Sequence, residues 1–143
     1  MIIKQISVFV ENKLGRLAQI TDIIGKAGID IRALSIADTS DFGILRVIVD
    51  RPDDAIKALK EAGMTVSLTD VIAVGIPDQP GAFSKAVQVM SDAEISIEYM
   101  YAFISRTDRE AFVILRTEDI DGSVRVLEEK GIKLLHAEDV YHM

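Results

Sequence analysis

Cysteine is absent from the 143 residues. Disulfide frameworks, thiolate zinc sites and cysteine nucleophiles are therefore excluded. Positive charge is scarce: 16 Lys and Arg stand against 23 Asp and Glu, a formal net charge of −7. A surface of that sign matches neither nucleic acid nor anionic lipid, so neither partner is expected. No apolar run approaches the ~20 residues that span a bilayer. Met1-Ile2-Ile3-Lys4-Gln5 lacks a basic stretch followed by a long apolar core, so no signal peptide is expected and a cytoplasmic location is. There is no nucleophile elbow, phosphate-binding loop or Lys constellation, and catalysis finds no support. His136 and His142 lie near Glu138 and Asp139 but match no ligand spacing, so no metal and no cofactor are expected.

What is present is a globular composition, 49% hydrophobic and 27% charged. Ile6, Val8 and Val10 alternate with their neighbours, which predicts a strand over residues 2–10. Asn12-Lys13-Leu14-Gly15-Arg16-Leu17 then turns on a glycine into a helical stripe, Leu14, Leu17, Ile20, Ile24 and Ala27. Gly28 stops that helix. Strands are predicted over 29–36 and 44–49, a helix with the stripe Ala55, Ile56, Leu59 and Ala62, and a fourth strand over 64–69.

The order β-α-β-β-α-β then begins again. A strand is predicted over 71–76, a turn over 77–81 and a stripe of Phe83, Ala86, Val87 and Met90. Strands follow over 95–103 and 111–116, a helix over 119–130 and a last strand over 132–141. The interval from Gly15 to Gly81 equals that from Ile29 to Ile95 and that from Ile31 to Ile97. The interval from Gly63 to Gly131 is longer by two. The extra pair falls in the polar stretch 105–110, where a hairpin loop tolerates insertion. Two modules, 1–69 and 70–143, are expected to meet near Asp70. Each is an α+β, ferredoxin-like module with an antiparallel sheet and its helices on one face. A single helical layer leaves one sheet face open, so association into a homo-oligomer, a dimer above all, is expected.

Asn12-Lys13-Leu14-Gly15-Arg16-Leu17 with Ala27-Gly28-Ile29-Asp30-Ile31, and Asp78-Gln79-Pro80-Gly81-Ala82-Phe83 with Ile95-Ser96-Ile97, resemble the signature of the ACT domain. The resemblance covers nearly the whole chain. It implies a regulatory module that binds a free amino acid at an interface between modules, near the first turn and second strand. By position, Asn12, Gly15, Asp30, Ile31, Asp78, Gly81, Ser96 and Ile97 become candidate contacts. The chain departs from the family pattern at Leu14, where proline is usual and where the second copy keeps Pro80. It departs again at Ala93-Glu94, where Ala-Gly is usual.

The chemistry agrees with the resemblance. Backbone N–H groups around Gly15, Arg16 and Leu17, or Gly81, Ala82 and Phe83, suit a carboxylate. Asn12, Asp78 or Asp30 can accept from an ammonium. The ligand side chain would meet Ala33, Tyr99, Tyr101 or Phe103, and the second copy carries the greater aromatic surface. Other readings stand beside these. Asn12 and Asp78 are preferred helix caps, Gly15 and Gly81 serve turn geometry, and the aromatic row suits packing. The alternative function is a detached regulatory subunit, similar to the small subunit of acetolactate synthase, that acts by contact with an enzyme of amino-acid biosynthesis.

Overall fold

The computed structural model describes residues 1–38, 41–104 and 110–142. The chain forms two compact units. The first comprises Lys4–Thr69 and Glu138–Met143, the second Met1–Ile3 and Asp70–Ala137. The expected site of the two-residue insertion lies outside the described residues.

In the first unit, strand β1 (Ile3–Glu11) leads to helix α1 (Arg16–Lys26), then β2 (Ile31–Asp38), β3 (Phe42–Val49) and α2 (Pro52–Glu61). The sheet order is β2-β3-β1-β4, where β4 is Val66–Pro77. β3 pairs antiparallel with both β1 and β2, Val8 facing Leu45 and Ile36 also facing Leu45. Period two puts Ile6, Val8, Val10, Leu45, Val47 and Val49 on one face, against Ile20 and Ile24 of α1 and Ala55 and Leu59 of α2. Leu14 and Leu17 do not join that stripe. Leu14 precedes the helix and is fully exposed, and Leu17 and Ala27 are exposed as well.

The second unit repeats the plan with α3 (Ala82–Asp92), β5 (Ile97–Ile104), β6 (Glu110–Thr117), α4 (Ile120–Glu129) and β7 (Lys133–Leu134), in the order β7-β4-β6-β5. Its core sets Ile72, Val74, Ile76, Val113 and Leu115 against Ala86, Met90 and Leu127. The fold is thus the α+β arrangement predicted, with the helices of each unit on one face of an antiparallel sheet. Asp119 caps α4 by accepting from the Gly122 N–H at its Oδ1, 2.9 Å away, and its Oδ2 stands only 2.1 Å from where a Cβ at Gly122 would fall. Glycine there leaves the cap its space.

Two predicted boundaries give way. The strands expected over 64–69 and 71–76 are one strand, β4, because no glycine or proline interrupts residues 66–76 before Gly75 and the whole of Val71–Ile76 is buried. The last strand, expected over 132–141, shrinks to β7, and Ala137–Tyr141 forms a short helix, α5. Glu138 and Asp139 occupy the first turn of α5, the end where acidic side chains favour helix.

Helices α1 to α4 end alike. The residue after the C-cap takes a left-handed conformation, and two N–H groups return to the last turn. Gly28 and Ile29 do this at the end of α1, with bonds of 3.0 and 3.2 Å. The φ values are +71° at Gly28, +85° at Gly63 and +73° at Gly131, and Glu94 holds the position at +58°. A side chain there costs roughly 1–2 kcal/mol, part of which glycine returns as chain entropy when unfolded. Glu94→Gly is therefore expected to stabilise the protein by about 0.5–1 kcal/mol, read from the midpoint of urea unfolding. A lower midpoint would show that the Glu94 side chain holds a favourable interaction larger than the strain.

Candidate functional site

The two β-to-α turns share a backbone and differ in chemistry. Gly15 is the N-cap of α1 at φ +88°, and Gly81 that of α3 at +85°, each without a side-chain cap bond. Asn12 and Asp78 are thus not the caps of these helices. The Arg16 and Ala82 N–H groups turn back to the Lys13 and Gln79 carbonyls at 3.2 and 3.3 Å, the next N–H groups of the first turn have no helical acceptor behind them, and the helix dipole makes that end electropositive. Among the described residues nothing stands within 4 Å of where a Cβ on either glycine would fall. Glycine is needed for its torsion, not for space.

At the first turn the charges satisfy one another. The Glu11 carboxylate meets Lys13 Nζ at 2.9 Å and Arg16 Nη2 at 3.8 Å, and Arg16 Nη1 donates to Gln19 at 3.1 Å. The Lys13 hydrogen bond, followed by the charges of Lys13 and Arg16, holds the Glu11 carboxyl below the ordinary value of 4.5. These contacts add stability above the ordinary value and lose it as pH falls through the lowered one, and full exposure keeps the effect small. At the second turn Pro77, Gln79 and Ala82 occupy the places of Glu11, Lys13 and Arg16. Asp78 is the acid of that turn. It is exposed, and among the described residues no hydrogen bond or ion pair engages its carboxylate.

Asp78 and Gln79 stand at one end of a cavity of about 330 Å³. Its walls are apolar. Ile76 and Pro77 come from β4, Ala111 and Val113 from β6, and Met100, Tyr101 and Ala102 from β5, with Phe83 of α3 at the rim. The register explains the selection. Ile76 faces Ala111, Val74 faces Val113 and Ala102 faces Val113, so the side chains of Ile76, Val113, Ala102 and Met100 share the helix-bearing side of the sheet. Helix α3 buries Ala86 and Met90. Its first turn leaves Phe83 36% and Met100 48% exposed. The turn of the first unit borders a smaller cavity of about 130 Å³ that includes Glu11, Arg16 and Gln19.

Not all predicted site residues come together. Asp78, Phe83 and, beside them, Pro80, Gly81 and Ala82 cluster at the cavity end. Asn12, Leu14, Gly15, Arg16 and Leu17 form the equivalent turn, where the Asn12 N–H meets the Asp41 carbonyl at 3.2 Å. Asp30 and Ile31 lie at the far end of the sheet. Ile31 pairs with Val49, whereas Glu11 pairs with Phe42, so roughly 23 Å of strand separates them at about 3.3 Å per residue. Asp30 is engaged there: its N–H donates to Asp50 at 2.9 Å, its carbonyl accepts the Asp50 N–H at 3.1 Å, and its carboxylate pairs with Arg32. Ser96 and Ile97 repeat this, the Ser96 N–H donating to Glu118 at 3.0 Å.

Of the strand residues expected to meet a ligand, Tyr101 borders the cavity. The side chains of Tyr99, Tyr101 and Phe103 nevertheless project from the other side of the sheet, being opposite Arg116, Ile114 and Phe112, and the Phe103 and Phe112 rings stand 5.4 Å apart. Met100 and Ala102 are the wall residues that sequence reasoning misses in favour of their aromatic neighbours. Period two carries the signal, since residues on the helix-bearing face alternate with the aromatic row. Among the described residues no cluster of three or more His, Asp or Glu side chains is placed to hold a metal, and no helix is long and apolar enough to cross a membrane.

Comparison with known proteins gives a consistent family. A family model described as an ACT domain pair matches residues 1–143. The structure is similar to that of protein BT0572 from Bacteroides thetaiotaomicron, with a TM-score of 0.95 and 43% identity over 100% of this chain and 98% of that one. It also shares its fold with the ligand-free regulatory subunit of aspartate kinase from Thermus thermophilus. There the TM-score is 0.62 and the identity 18%, over 88% of this chain and 91% of the other. The regulatory subunit of aspartate kinase from Thermus flavus gives 0.61 and 17%, over 88% and 90%. No curated protein matches the sequence.

Proposed function

The chain belongs to the ACT-domain family as a tandem pair of these regulatory modules, and from that premise we propose that it is a regulatory protein that binds a free amino acid. The modules are residues 1–69 and 70–143, and the principal site is the turn Asp78–Phe83. One observation carries this reading. A carboxylate without a partner among the described residues, a helix start without a side-chain cap and an apolar cavity of about 330 Å³ meet at one place. An α-amino acid has three matching parts. Its ammonium suits Asp78, its carboxylate suits the first-turn N–H groups of α3, and its side chain suits the cavity. The site needs no cofactor.

The turn Asn12–Leu17 is the equivalent site in the first module, where Glu11, Lys13 and Arg16 already occupy one another. A second copy of the chain would cover the open rim. The edge strands support such pairing, since Ile36 on β2 and Met100 on β5 are about half exposed. Regulation then means that the ligand binds one assembly state better than another. A cytoplasmic setting supplies free amino acids.

Thermal unfolding against the twenty amino acids tests the proposal. A ligand at a hundred times its Kd stabilises by roughly 2.7 kcal/mol. Asp78→Asn is expected to weaken binding by about tenfold to a hundredfold, the worth of a hydrogen bond to a charged group. No shift with any amino acid sinks the reading.

A further inference from the structure

We infer that the site in the second module takes amino acids with apolar side chains and rejects those with polar or charged ones. This rests on the amino-acid reading above and adds its specificity. Among the described residues whose side chains face the cavity, the polar ones stand at the turn end, Asp78 and Gln79. Beyond them the walls are Ile76, Ala111, Val113, Met100 and Ala102, with Phe83 at the rim. Among the described residues no Lys, Arg, Glu, Ser or Thr lines the cavity. Tyr101 projects its ring from the other side of the sheet, as its pairing with Ile114 requires.

A ligand bound by its ammonium at Asp78 therefore sends its side chain among Ile76, Ala111, Val113, Met100 and Ala102, whose side chains cannot hydrogen-bond it. A hydroxyl, amide or ammonium carried into that space loses its water and finds no partner in those side chains. An apolar side chain loses nothing and covers Met100 and Phe83, which are 48% and 36% exposed. The unbranched thioether of Met100 adapts to more than one shape. Several apolar side chains thus fit, with modest preference among them. The volume, about 330 Å³, lies at the small end of ligand pockets and suits one amino acid.

The other copy supplies the contrast. Leu34 is the counterpart of Met100 in the repeat and is also exposed, at 57%. The turn of that copy carries Glu11, Lys13 and Arg16.

Isothermal titration of the full chain decides the matter with leucine, methionine, phenylalanine, asparagine, lysine and 4-methyl-2-oxopentanoate, the oxo acid of leucine. At least one of the first three is expected to bind, with asparagine and lysine at least about a hundredfold weaker. Met100→Glu is expected to weaken the apolar ligand at least tenfold with the circular dichroism spectrum unchanged, and Leu34→Glu to leave it unaltered. Asparagine or lysine binding as tightly as leucine overturns the inference and leaves the amino-acid reading standing. The oxo acid binding as tightly as leucine overturns the amino-acid reading and leaves the apolar specificity standing. Binding lost in Leu34→Glu and kept in Met100→Glu overturns the placement in the second module. Failure of all six compounds to bind removes the inference.

Discussion

Deleting residues 138–143 is expected to destabilise the first unit by about 3 kcal/mol. Those residues belong to the unit built on Lys4–Thr69. Val140 is completely buried, and burying a valine is worth about 1.5–3 kcal/mol. The Tyr141 hydroxyl accepts the Lys4 N–H at 2.9 Å, a bond worth about 1 kcal/mol net. Hydrogen exchange locates the loss. Protection should fall at Ile20, Ile24 and Val47, with little change at Ile72 and Leu115. A uniform loss in both units, or none, would contradict the assignment. The effect also has a pH signature. Burial pushes the Tyr141 hydroxyl above its ordinary value of 10.0, against the opposing Lys4 hydrogen bond. A neutral hydroxyl favoured by the fold subtracts nothing below the ordinary value, and stability is lost as pH rises through the raised one. The difference between full and shortened chains should therefore narrow in alkali.

Leu59→Ala and Leu127→Ala are expected to cost about 3 kcal/mol each. The two leucines occupy one position of the repeat, and both are completely buried. Leu59 packs in the core with Val8, Ile24 and Val47, and Leu127 in the core with Val74, Met90 and Leu115. Removing a leucine from such a place loses the transfer energy and leaves a cavity, together about 2–5 kcal/mol. With no shared neighbours in their cores, the double variant should lose the sum within ~0.5 kcal/mol. Urea unfolding gives each value. A cost under ~1 kcal/mol at either site would mean that the core there collapses around the gap, against the close packing described.

The repeat is legible because each element reports its own period. Ile6, Val8 and Val10 announce a strand within a short span, and the glycine spacing announces the copy. The last strand is not legible. Its pairing with β4 runs through Lys133 and Leu134 and ends with the Leu135 N–H donating to the Ala73 carbonyl at 2.9 Å, and Val140 gives a helix no more apolar anchors than it gives a strand. Leu17 and Phe83 fit the helical phase of a core stripe. Both lie in a first turn that the sheet does not cover, which phase alone does not show.

Candidate site residues divide by topology. A strand, a helix and a second strand parallel to the first return the chain to the end where it began. Asp30 and Ser96 therefore lie away from the turns, although they follow them closely in sequence. The residues that do reach the second turn, Met100 and Ala102, sit further along β5. The cavity joins β4, β5, β6 and α3, segments scattered across residues 76–113, and no local pattern unites them.

The exchange of chain ends between the units bears on the order of synthesis. The first unit is nearly all made once Thr69 has left the ribosome, but its remaining piece begins only at Glu138. At about 5–20 residues per second, translation leaves it unfinished for roughly 3–14 s. During that wait the apolar surface destined for Val140 stays open to chaperones and to neighbouring nascent chains, and the first half of the gene product depends on the ribosome finishing the second.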